Sequence, residues 1–235
     1  MDRVILKLSG EALSDDKNII SSNKMQLVSQ EIKALVDEGY EVGIVCGGGN
    51  MWRGRSSDPR MNRTISDNIG MLATMMNSLA LEDNLQQIGL KAVTLSAIIA
   101  PQVTDNFKQE LAISYFEQGY VVIFAGGTGN PYFSTDTCAA LRASQVNAKI
   151  ILMAKNGTDG VYDDDPAVNK DAKKYAKLSY DELIDKKLGV MDLTAASLCK
   201  DNDITTIVFD MNVKGNIHKV MLNKKIGTIV NVKGE

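Results

Sequence analysis

Two rhythms of apolar residues alternate along the chain, short runs that suit buried strands and longer stretches at helical spacing. Val4, Ile5, Leu6 and Leu8 predict a first strand, and Leu27, Val28, Ile32, Leu35 and Val36 predict a helix over residues 25–38 that Gly39 closes as a left-handed cap. Val42, Ile44 and Val45 predict the next strand. Residues 65–87 then carry Ile69, Leu72, Met75, Met76, Leu79, Leu81 and Leu85 on more than one helical face. That breadth fits burial on two sides, either within the chain's own core or against a second subunit. A strand at 92–95, a helix at 107–118 ended by Gly119, a strand at 121–124, a helix ending near Val146 and a strand at 150–153 continue the pattern. Beyond lie a short strand at 175–178, a helix from Tyr180 capped by Ser179, a helix at 192–202, a strand at 206–209, a helix at 217–222 and a strand at 228–232.

Strands alternating with helices predict the α/β class, a three-layer αβα sandwich whose central sheet is mainly parallel. Such sheets bind ligands beyond the carboxyl ends of their strands, and three strand ends here run into anion-binding sequence. The first is Lys7-Leu8-Ser9-Gly10, a lysine at the mouth of a strand beside a Ser-Gly turn. The second is Gly47-Gly48-Gly49-Asn50, with Arg53 close behind. Arg55, Arg60 and Arg63 follow in a polar segment holding Pro59; guanidinium forks suit phosphate, but a solvated loop accounts for two or three of the four arginines and Arg53, nearest the glycines, is the one assigned to phosphate. The third is the stretch 121–136, where Gly126, Gly127 and Gly129 lead through Thr128, Asn130 and Pro131 into a Ser-Thr-Asp helix start. Bare-backbone turns before a helix N-terminus suit phosphate, and an ordinary bend is the alternative at any one of them. Asp67, near the start of the long helix, either favours the helix dipole or accepts hydrogen bonds from a sugar.

Composition narrows the class. At 235 residues with no linker-like tract, one domain is expected over 1–235. The net charge of −3 and the absence of a basic face argue against a nucleic-acid partner. No run of apolar residues is long enough for a membrane span, no leader-like segment opens the chain, and Cys46, Cys138 and Cys199 are too scattered for a disulfide or zinc framework. A soluble, cytoplasmic protein without membrane contact is expected. His218, the only histidine, lies in a late helix, so a Ser-His or Cys-His hydrolase is excluded. Neither a P-loop nor a dinucleotide fingerprint is present. The three aspartates 163–165 lack EF-hand spacing and read as turn caps, so no metal ligands are assigned.

K-L-S-G-E-A-L from Lys7, G-G-G-N-x-x-R-G from Gly47, M-N-R from Met61, D-x-x-G-M-L-A-T-x-M-N from Asp67 and G-T-G-N-P-Y-F-S-T-D from Gly127 together resemble the bacterial uridylate kinases of the amino acid kinase superfamily. D-G-V-Y-x-x-D-P from Asp159 and V-M-D-L from Val190 extend the resemblance nearly end to end. It implies phosphorylation of UMP by ATP with magnesium, a step of pyrimidine nucleotide (CTP) biosynthesis, in a homohexamer built as a trimer of dimers. Carried over by motif, it implies that Lys7, Leu8, Ser9, Gly10, Gly49 and Arg53 meet ATP phosphates, while Asn156, Tyr162 and Asp165 line the ATP nucleoside site. Gly48, Asp67, Thr128, Gly129, Asn130, Pro131, Tyr132, Phe133, Ser134 and Thr135 would hold UMP. Lys7, Arg53 and Asp136 would be catalytic. The UMP and phosphate side would fall in residues 1–147 and the ATP nucleoside side in 148–235. Where the family carries a glycine-containing loop that meets the activator GTP, residues 14–22 hold no glycine and two adjacent aspartates, so weak or absent GTP activation is expected. An acyl-phosphate-forming amino acid kinase and a non-enzymatic anion-binding or storage protein on the same fold are the alternatives.

Overall fold

The structure is a computed structural model that describes residues 2–54, 60–222 and 226–234; Arg55 and Pro59 lie outside the described residues. The first strand, β1 (Arg3–Leu8), is buried along nearly its whole length and occupies the middle of a nine-stranded sheet. It pairs in parallel with β2 (Glu41–Cys46) on one side and with β6 (Ile150–Lys155) on the other. Beyond β2 lie β5 (Val121–Ala125), β3 (Ala92–Ser96) and the two-residue β4 (Asp105–Asn106). Beyond β6 lie β10 (Thr205–Asp210), β11 (Thr228–Asn231) and β9 (Lys177–Ser179). Every pairing in this sheet is parallel except β10 with β11.

Period-two alternation divides the core into two. Val4, Leu6, Leu8, Val42 and Ile44 point to one face, where Met25, Ile32 and Leu35 of α1 (Ser22–Asp37), Leu81 and Leu85 of α2 (Arg63–Gln87) and Ile217 and Val220 of α7 (Asn216–Leu222) cover them. Ile5, Val45, Val122 and Phe124 point to the other. There Ala112 and Phe116 of α3 (Gln109–Glu117), the alanines of α4 (Thr135–Gln145), Leu183 of α5 (Tyr180–Asp185) and Ala195 and Cys199 of α6 (Leu193–Asp201) close the core. The result is the expected three-layer α/β sandwich.

Three details depart from the sequence pattern. The strand expected at 175–178 is two strands, because the chain changes partners at Ala176. Residues before it, β8 (Lys174–Tyr175), pair antiparallel with β7 (Val161–Tyr162) in a separate ribbon, whereas β9 after it pairs with β11. The helix expected from Phe107 starts at Gln109, since the Phe107 N–H is spent on the Ser96 carbonyl at 2.8 Å and continues the sheet. The long helix starts earlier than its apolar residues suggest: Asn62 accepts the Thr64 N–H at 2.9 Å and supplies the N-cap.

All three cysteines are free and buried, and burial pushes the Cys46 thiol up to about 12. Among the described residues, no helix is long and apolar enough to cross a membrane.

Candidate active site

Strands β5, β2, β1 and β6 are consecutive neighbours and all parallel, so their carboxyl ends emerge side by side on one edge. With adjacent strands about 4.8 Å apart, four ends span roughly 15 Å. Residues far apart in sequence thereby converge. Lys7 Nζ lies 2.7 Å from Asp136 Oδ1, although β1 and α4 are separated by more than half the chain.

Asp136 is the second residue of α4. Ser134 caps that helix, accepting the Asp136 N–H at 3.0 Å and the Thr137 N–H at 3.1 Å. A second ammonium, that of Lys155 at the end of β6, lies 3.7 Å from Asp136 Oδ2. Burial works against ionisation of Asp136, yet the charges of Lys7 and then Lys155 outweigh it and hold its carboxyl below the usual carboxylate range. Burial lowers the Lys155 ammonium, and the Asp136 carboxylate only partly offsets this. The cluster holds two cations against one anion at the centre of the edge. Lys155 was not singled out from the sequence, although like Lys7 it is a lysine near the carboxyl end of a buried apolar strand.

The third turn needs glycine for its backbone. Gly126, Gly127 and Gly129 have φ of +74°, +58° and +79°, values that L side chains rarely adopt. In the second turn, the need is space: a Cβ on Gly48 would sit 2.9 Å from both Ala73 Cβ and the Gly70 carbonyl oxygen of α2. Tyr132 also adopts a left-handed φ, +72°, without being glycine. Asp67 Oδ2 accepts its N–H at 2.8 Å, Arg63 pairs with the same carboxylate at 2.8 Å, and the Arg63 guanidinium lies over the Tyr132 ring at 5.2 Å. Asp67 therefore does more than favour the helix dipole, since it fastens the third turn to α2. From beneath, the buried Arg142 donates to the Gly127 carbonyl at 3.1 Å while lying over the Phe107 ring at 3.8 Å.

Two cavities flank the cluster. The smaller, of about 130 Å³, is lined by Gly48, Asp67, Thr128, Asn130, Phe133, Ser134 and Thr135 of the expected acceptor residues, joined by Trp52, Met71 and Thr74. Gly129, Pro131 and Tyr132 shape the same turn without lining it. The larger, of about 820 Å³, runs from Lys155 past Tyr162 and Asp165 to Val190. The structure does not bring Asn156 to that cavity. Its side chain accepts from Asn212 at 2.6 Å and faces a separate cavity of about 500 Å³ beside Glu11 and Glu31.

Ser9 and Gly10 follow β1 into a 3-10 turn over Gly10–Leu13, with Gly10 packed against the backbone of Gly49 and Asn50. Arg53 stands at the solvent-facing rim of these turns, 2.7 Å from Glu11 Oε1, and donates to the Gly49 carbonyl at 3.3 Å. The aspartates at 163–165 bond locally. Asp163 accepts from Lys173 N, Asp164 from Asn169 Nδ2 and Asp165 from Ala167 N, as turn caps do.

Residues 2–210 match the model of the amino acid kinase family. Among solved structures, a UMP kinase from Ureaplasma parvum superimposes with a TM-score of 0.94 at 39% identity, over 98% of this chain and 98% of that one. A UMP kinase from Bacillus anthracis gives a TM-score of 0.95 at 36% identity, over 99% of this chain and 96% of that one. A uridylate kinase from Archaeoglobus fulgidus gives 0.75 at 27% identity, over 97% and 99%.

Proposed function

The chain belongs to the amino acid kinase family, and from that premise we propose that it is a UMP kinase, transferring the γ-phosphoryl group of ATP to UMP to yield UDP and ADP. The observation that carries this reading is the Lys7–Asp136–Lys155 cluster set between two cavities. Lys155 lines the larger cavity, and Ser134 and Thr135, the residues just before Asp136, line the smaller. A phosphoryl group passing between the two would cross the ground that both ammonium groups reach.

The chemistry is in-line transfer by positioning and charge neutralisation. Lys7 and Lys155 stabilise the charge that spreads over the transferring oxygens, and their preorganisation by Asp136 means that no side chain has to reorient as it develops. Main-chain amides of the turns at Ser9, Gly10 and Gly49 cradle the triphosphate, with Arg53 at the rim. The larger cavity takes the ATP nucleoside beside Tyr162 and Asp165, and Asn156, facing elsewhere, drops to the margin of that site. Gly48, Asp67 and the 128–135 turn take UMP, Asp67 meeting the ribose and the Thr-Gly-Asn turn meeting uracil. Asp136 is already balanced by two lysines, so magnesium would enter on the nucleotide phosphates and supply further charge neutralisation there. This assigns the acceptor side to residues 1–147 and the ATP nucleoside side to 148–235.

Assembly into a homohexamer is part of the proposal. Ile65, Leu72 and Met76 leave an apolar stripe on α2 more than half exposed, at 52%, 53% and 55%, which suits a subunit contact. The working compartment proposed is the cytoplasm.

A coupled nucleoside diphosphate assay with ATP and UMP, CMP, dUMP or AMP tests the reaction, with a hydroxamate trap run on aspartate, glutamate and acetylglutamate. UDP as the main product is expected. A trapped acyl phosphate, or no product with any acceptor, would refute it.

A further inference from the structure

Helix α2 carries the longest motif of the sequence, and the substrate contacts proposed above use only Asp67 from it. Thr74 and Asn77 lie three residues apart on one helical face, and both are buried, at 4% and 0% exposure. Each spends its polar side chain on a different glycine turn. The Thr74 hydroxyl donates to the Met71 carbonyl at 2.6 Å and accepts the Gly126 N–H at 3.0 Å. Its proton is thus committed inside the protein, which leaves no donor for a ligand. Asn77 Nδ2 donates to the Gly47 carbonyl at 2.7 Å and to Asn50 Oδ1 at 2.8 Å, and Asn77 Oδ1 accepts from Asn50 Nδ2 at 3.0 Å. Both donor hydrogens are used and no ligand can reach them.

The amide pair also reaches past its own turn. Asn50 Nδ2 donates to the Ile19 carbonyl at 2.7 Å, and Asn50 packs against Gly10 so closely that any side chain there would overlap it. Asn77 therefore fixes the Gly47–Asn50 turn, the turn after β1 and the segment at Ile19 as one body. Thr74 separately fixes the start of the turn at Gly126. Both turns follow strands that pair with each other, β2 and β5, so the helix face ties two adjacent strand ends to a single rigid rod.

We infer that this face of α2 sets the spacing between donor and acceptor. Asn77 is a positioning residue for the triphosphate turns, and Thr74 is one for the nucleoside monophosphate turn. The inference rests on the two-site reading above and adds a division of labour to it: loss of Thr74 disturbs the acceptor and spares ATP, whereas loss of Asn77 disturbs ATP most and the acceptor less, through Gly48 of the same turn. A merely structural role for both would weaken the two sites together.

The test is steady-state kinetics on the full chain with ATP and UMP varied independently. Thr74→Val keeps the branched shape and loses the hydroxyl; Asn77→Ala loses the amide. Asn50→Ala cuts the same clasp from its half-buried side and keeps the question open to experiment should Asn77→Ala fold poorly. The expected result for Thr74→Val is a KM for UMP raised about tenfold, the effect of one lost hydrogen bond to a buried amide, with the KM for ATP within about twofold. Asn77→Ala and Asn50→Ala should do the reverse, raising the KM for ATP by more than that for UMP, which the loosened turn reaches only through Gly48. Equal changes in both constants, or in neither, would overturn the inference. Backbone amide exchange gives a readout independent of turnover: the Gly126 N–H should exchange faster in Thr74→Val, and unchanged exchange would also overturn it. A wild-type chain inactive on UMP would instead refute the proposed function and leave the exchange result to decide the positioning.

Discussion

Replacing Asp136 with asparagine keeps the shape of the side chain and removes its charge, leaving two ammonium groups facing each other without an anion between them. The pair it breaks is well buried, with side-chain exposures of 9% for Lys7 and 14% for Asp136 at a separation of 2.7 Å. Removing one partner from a buried pair costs about 3–5 kcal/mol. The lower end applies here, because Lys155 is farther away, at 3.7 Å, and at 23% exposure reaches solvent. A loss of about 3 kcal/mol in a chain of this size corresponds to a fall in Tm of about 6–12 °C. Calorimetry on Asp136→Asn measures it. Turnover should fall by about 100-fold or more, since the two lysines lose the group that preorganises them. Affinity for a non-hydrolysable ATP analogue should hold, because the uncompensated positive charge favours a polyanion in the ground state. A variant that melts within about 2 °C of wild type, or that turns over normally, would refute the reasoning that a buried two-lysine cluster organises the edge.

The lowered Asp136 pKa gives stability a particular acid profile. The folded state binds fewer protons than the unfolded chain between that lowered value and the ordinary value of about 3.9, so the contribution is complete above this window and is lost as pH falls through it. Urea midpoints of wild type and Asp136→Asn should therefore run parallel from about pH 7 to 5 and converge below about pH 4. The lowered Lys155 pKa should bring the alkaline limb of kcat below the ordinary lysine value of about 10.4, and Lys155→Arg, which stays charged, should move that limb upward in a pH–rate profile. Glu31 of α1 accepts the Gly215 N–H at 2.8 Å and the Ile217 N–H at 2.9 Å, capping α7 from a neighbouring helix. Glu31→Ala should lower the unfolding free energy by about 1–2 kcal/mol in urea titrations. GTP added at fixed magnesium should leave the rate nearly unchanged, given residues 14–22 without glycine; a several-fold increase would contradict that expectation.

The strands whose apolar runs are buried on both faces were legible in the sequence, and with them the edge where β1, β2 and β5 end. Parallel order then did the rest, since neighbouring strands cannot end anywhere else. What stayed hidden depends on partners distant in sequence. The antiparallel β11 has the same composition as a parallel strand, and the ribbon of β7 and β8 is too short for a period. The further bond of Asp67 to the Tyr132 N–H was hidden, because nothing nearby announces a residue 65 positions later as its partner. Lys155 was readable by the argument already used for Lys7, since its strand also runs into a glycine turn at Gly157, but nothing near it in sequence announces Asp136 as its partner. Thr74 and Asn77 sit inside a helix whose apolar residues dominate the pattern, so their hydrogen bonds to two turns appear only once the chain is folded. Asn156 faces a different cavity from Tyr162 and Asp165, a direction that a loop residue without a period does not announce.

The most direct measurement on the central claim, that side chains from distant segments hold two nucleotides head to head around Lys7, compares turnover with acceptor binding in Lys7→Ala. A kcat reduced by about a thousandfold with UMP affinity within about threefold is expected, because Lys7 meets the transferring group and not the acceptor's nucleoside. Turnover like that of wild type would remove Lys7 from the chemistry and take the two-lysine cluster with it.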